Sequence, residues 1–145
     1  MLAALNTSGL RELLAATEGE SHVKASVSTA NPEGGIRALG LMEVLLGSAS
    51  CTDPVTEGIG LLERDACEIV RAFGRVTGET TAVVSFSLLR QTLCSKLHVD
   101  HVPLRVMVTY FGAGTEAGLN TGLNTGLSGY RIQGLVASCT QNYDS

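Results

Sequence analysis

The clearest periodic stretch of the chain runs over residues 53–78, where Val55, Ile59, Leu62, Ala66, Ile69, Val70, Phe73 and Val76 recur at steps of mostly three and four. Side chains so spaced stack on one side of a 3.6-residue repeat, so the pattern predicts a long amphipathic helix. Its other face is charged. Glu57 and Glu63 stand toward the positive N-terminal end of the helix dipole and Arg71 and Arg75 toward the negative end, while Arg64 and Glu68 are spaced as an ion pair. Asp53 is placed to cap the first amides, and Pro54 fits the first turn because its missing N–H would be unpaired there anyway. Gly78 suits a left-handed exit.

Around this helix the period alternates between two and 3.6. Residues 8–17 predict a short helix with Leu10, Leu13 and Leu14 on one side, and residues 22–28 alternate polar and apolar, as a strand does when one face is buried, with Val23, Ala25 and Val27 pointing inward. Asn31-Pro32-Glu33 opens a helical pattern through Ile36, Leu39, Met42 and Leu46. Gly34, Gly35 and Gly40 weaken it, each costing about 1 kcal/mol relative to Ala, and the competing pattern is a hairpin turning at residues 32–35 with a second strand from Ile36. Residues 80–88 predict a strand with Ala82, Val84, Phe86 and Leu88 on its buried face, and residues 88–98 a short helix. Leu104 to Phe111 is apolar enough for a central strand, and residues 130–138 predict a last one. Between them lies a glycine-dense segment, residues 112–129, with Gly-Leu-Asn-Thr twice in tandem, which predicts a loop or wide turn. The fold class expected is α/β of the α+β type: one domain over residues 1–145, with a mainly antiparallel sheet of four strands packed against helices in the order α-β-α-α-β-(α)-β-β.

Composition narrows the partners rather than the fold. The mean hydropathy of +0.22 excludes wholesale disorder, and no apolar run is long enough to span a bilayer. The N-terminus lacks the basic leader and full apolar run of a signal peptide, so a cytoplasmic protein with no membrane partner is expected. On that expectation the glycosylation pattern at Asn6-Thr7-Ser8 carries no weight. A net charge of −4 argues against non-specific adhesion to nucleic acid, although it leaves room for a specific RNA site on a locally basic surface. With no Trp and few Tyr or Phe, bases would find few stacking platforms.

Candidate chemistry is sparse. Cys51, Cys67, Cys94 and Cys139 form no C-x-x-C pair or zinc spacing, and fit reduced thiols packed as small apolar residues. His98, Asp100 and His101 offer imidazole and carboxylate ligands to a divalent metal, and a metal-dependent enzyme would be built on them; solvated loop residues are the plainer reading. Cys94 and His98 lie at i, i+4, but no third group orients them for nucleophilic catalysis. Gly112, Gly114 and Gly118 follow a strand as in a dinucleotide-binding turn, yet no amphipathic helix follows them. Arg90, after Ser87-Leu88-Leu89, is placed to meet a carboxylate or phosphate in bidentate fashion.

The element order resembles that of the HutP family, together with Val76-Thr77-Gly78-Glu79, Ser87-Leu88-Leu89-Arg90, Tyr110-Phe111-Gly112-Ala113-Gly114, and the run from Gly126 through Tyr130-Arg131-Ile132. Those proteins are non-catalytic, ligand-dependent RNA-binding antiterminators that assemble as hexamers and use L-histidine and a divalent metal to organise their RNA-binding surface. The resemblance implies a homo-oligomer, a small amino-acid-like effector bound between subunits, and RNA as partner. It makes Glu79, Arg90, Gly112 and Gly114 the candidate ligand-binding residues. The family's metal-binding histidines lie on the long helix and in the glycine-rich tail, and neither residues 53–78 nor residues 112–145 contain a histidine here. A shared scaffold therefore implies a different effector or none. If residues 31–35 turn a hairpin and residues 92–99 form a strand, the order is instead similar to the roadblock/LC7 modules, dimerising platforms for small GTPases and motor complexes. A helix over residues 32–46 goes with the first likeness and a strand there with the second.

Overall fold

A computed structural model of the chain describes residues 9–16, 19–47, 52–89, 104–111 and 134–141. Its elements are α1 (Leu10–Ala16), β1 (Ser21–Ser28), α2 (Glu33–Ala38), α3 (Leu41–Leu46), α4 (Asp53–Thr77), β2 (Thr81–Leu89), β3 (Arg105–Thr109) and β4 (Gly134–Gln141). The fold is α+β, a four-stranded antiparallel sheet with helices. The predicted helix over residues 88–98 and the glycine-dense loop lie outside the described residues, apart from Leu88 and Leu89, which belong to β2.

Residues 33–46 are helical but broken in two. Gly40 takes φ +61°, a left-handed conformation that a side chain would resist, so the chain turns there and restarts as α3. The long helix ends as its sequence predicts: Gly78 has φ +77° and its amide donates to the Gly74 carbonyl. Its start is shifted by one residue, with Thr52 in the extended capping position and Asp53 already helical. Its inner face buries Val55, Ile59, Leu62, Ala66, Cys67, Val70 and Phe73, but Val76, expected on that face, is 77% exposed. Among the described residues Arg64 and Glu68 form no ion pair; Arg71 pairs instead with Glu33 of α2.

The sheet order is β1-β2-β4-β3. Strand β3 is therefore an edge strand rather than the central one its apolar sequence suggested, because β4 enters between β2 and β3. One face of the sheet carries Val27, Ala82, Val84, Phe86, Leu88 and Cys139 into the core against α4. At the far end of β1 the packing is close enough to demand glycine. A Cβ on Gly74 would stand 2.5 Å from the Thr29 Cβ, and one on Gly35 would stand 3.0 Å from the Val27 Cγ1. Thr29 is held in place there, its hydroxyl donating to the Glu79 carbonyl at 2.7 Å and its amide to the Thr80 carbonyl at 3.0 Å.

Candidate functional site

Of the residues singled out from sequence, Glu79 is described, whereas Arg90, Gly112, Gly114, His98, Asp100 and His101 lie outside the described residues. Glu79 sits in the short exposed link between α4 and β2, where its backbone is fixed at both ends: its amide donates to the Thr77 hydroxyl at 3.2 Å and its carbonyl accepts from Thr29. From there β2 runs away to Leu89, the last described residue before Arg90. At about 3.4 Å per residue a strand of that length spans about 27 Å. Within one chain Glu79 and Leu89 are therefore at opposite ends of the strand, too far apart to line one small pocket.

Between α4 and the sheet lies a cleft of about 10 Å³ lined by Ala66, Ile69, Val70, Val84, Val106, Val108 and Cys139. That is room for at most one water, and an apolar lining gives a water no partner. Cys139 is buried beside it, and burial pushes its thiol up to about 11. The Cys67 thiol is also raised, by burial first and by Glu63 second. Both are protonated, unreactive core residues at neutral pH. Among the described residues no three His, Cys, Asp or Glu side chains converge on a metal position, and no helix is long and apolar enough to cross a membrane.

Tyr110, just past β3, is 5% exposed and donates its hydroxyl to the Asp65 carboxylate at 2.8 Å, while its ring stacks on Phe86 with centroids 6.4 Å apart. Burial, followed by the Asp65 bond and charge, pushes the phenol well above the ordinary tyrosine range. It is a neutral hydrogen-bond donor tying β3 to α4.

The sheet face turned away from α4 carries what the strand-by-strand reading missed. Along β1 it shows His22, Lys24, Ser26 and Ser28, all exposed, and along β2 Thr81, Val83, Ser85 and Ser87. Thr140 on β4 and Arg105, Met107 and Thr109 on β3 continue it by register. His22 Nδ1 and the Ser87 hydroxyl are hydrogen-bonded at 2.8 Å. None of the four strands contains an Asp or Glu, although the chain has 14 of them. Among the described residues the strands of an acidic protein thus form one hydroxyl-rich face with no negative side chain of their own, with Lys24 and Arg105 near its two edges. Alternation showed which positions faced outward on each strand; only strand order shows that they form one surface.

Residues 10–136 match the pattern of a family described as protein of unknown function (DUF1826). No curated protein and no solved structure matches the chain.

Proposed function

Taking as premise that the chain belongs to the DUF1826 family, we propose that it is a non-catalytic regulatory protein of HutP-like architecture, a homo-oligomer that binds RNA in response to a small effector. The observation that carries this reading is the helical fold of residues 33–46 between β1 and the long helix, followed by an all-antiparallel four-stranded sheet. The hairpin on which a roadblock-like order depends is not there. The outer sheet face, whose strands carry no Asp or Glu, supports a polyanionic partner, because affinity for nucleic acid comes chiefly from placing cations and hydrogen-bond donors against phosphate.

The effector pocket of this reading is shared between subunits. Glu79 and the Leu89 end of β2 are too widely separated in one chain, so a ligand touching both ends takes one from each of two copies. Such a site exists only in the assembly, which couples ligand binding to subunit arrangement and thereby to the RNA surface.

The test is a filter-binding titration with single-stranded RNA of mixed sequence, run alone and with a panel of amino acids and divalent ions. The expected result is retention that strengthens at least several-fold with one of these additions. Absence of retention under every condition would contradict the reading.

A further inference from the structure

We infer that the outer face of the sheet is where RNA lies, and that it is read through its sugar–phosphate backbone rather than its bases; this rests on the proposed RNA-binding function. The face offers two cations, Lys24 on β1 and Arg105 on β3, at opposite edges of the sheet. Three inter-strand spacings separate those edges, or about 14 Å. Between them the register sets hydroxyls interrupted by apolar positions: Lys24 is level with Ser85 and, at the far edge, Met107, and Arg105 is level with Thr140, then Val83, then Ser26. Hydroxyl side chains between flanking cations suit phosphate and ribose oxygens, which accept hydrogen bonds from Ser and Thr and are neutralised by Lys and Arg. The described outward positions carry no Phe, Tyr or Trp, and their one aromatic ring, the His22 imidazole, is hydrogen-bonded to Ser87, so bases have little platform to stack on. Recognition is therefore tolerant of sequence and dependent on salt.

Two neutralised phosphates per subunit set the scale. For a single strand, log K falls with log salt at about −0.7 per phosphate contact, so each subunit contributes a slope of about −1.4. Removing one contact reduces the slope by about 0.7 per subunit and weakens binding about fourfold at ~0.15 M salt, uniformly across sequences. The experiment is fluorescence anisotropy of labelled single-stranded RNA of two unrelated sequences, across salt, with the full chain and with Lys24→Ala, Arg105→Ala, and the helix-layer controls Arg64→Ala and Arg75→Ala. Lys24 is exposed, so its variant keeps the parent's melting temperature and its binding defect is not a folding defect. The expected result is a lower slope and equal loss on both sequences for the two sheet-face variants, with the controls unchanged. RNA binding that survives both sheet-face variants but falls with Arg64→Ala or Arg75→Ala overturns this assignment and leaves the RNA-binding reading standing. Tighter retention of polyglutamate than of RNA overturns the assignment, since the face would then be reading a carboxylate polymer. No RNA binding by the unaltered chain overturns the functional reading and this inference with it.

Discussion

Tyr110 shows how a single side chain fixes the edge of the sheet. Its ring fills the core against Phe86 and its hydroxyl satisfies Asp65, a carboxylate on the sheet-facing flank of α4. Tyr110→Phe keeps the ring and removes the donor, and its expected cost is about 1 kcal/mol, measured by urea denaturation at neutral pH. The same residue and Cys139 set an alkaline limit on stability. Both are raised above their unfolded values, so both stay protonated in the folded state while the unfolded chain loses protons. For Cys139 the contribution is intact below about 9.0 and is lost as pH climbs toward about 11. Melting temperature should therefore fall steeply across that window, and less steeply in Cys139→Ala. A thiol reagent at pH 8 should leave Cys67 and Cys139 unmodified in the native protein and label both in urea, as peptide mapping would show.

At the scale of elements, α4 offers a sharp contrast between two of its glycines. Gly60 has open space where a Cβ would be, whereas Gly74 faces Thr29 at a distance no side chain tolerates. Gly60→Ala should raise stability by about 0.5–1 kcal/mol through helix propensity alone. Gly74→Ala carries the same gain but must displace a threonine pinned by two hydrogen bonds, and should lower stability by about 1–3 kcal/mol in the same denaturation assay. The long helix was legible because its period is sustained over seven turns and ended by a glycine. Alternation likewise placed β1 and β2 to within a residue. Val76 was misplaced because three-and-four spacing alone does not show which positions of the last turn are covered, and the break at Gly40 was visible only as a weakness until its positive φ showed the chain turning there. Glycine 74 could not be read at all: its need arises from Thr29, far away in sequence.

For the whole molecule the decisive information is strand order, which local pattern does not encode. The apolar run at residues 104–111 reads as a central strand whichever neighbours it has; β3 is an edge because β4 returns between it and β2. That same order merges the outward Ser, Thr, Lys and Arg positions of the described strands into one surface with no Asp or Glu of their own, while the length of β2 holds Glu79 and Leu89 apart. The proposed pocket using both ends, and the proposed RNA site with two cations per copy, would each be too small to work alone. In the proposed reading, repetition in an oligomer would supply the missing half of the pocket and multiply the phosphate contacts. Val76, exposed on α4, is a feature that a second copy can cover. Self-association is thus the claim on which pocket, RNA surface and effector response all depend. Light scattering of the eluting protein at micromolar concentration tests it directly: the account predicts a particle at a whole-number multiple of 15.1 kDa, two or more, and a particle of 15.1 kDa at every concentration would contradict it.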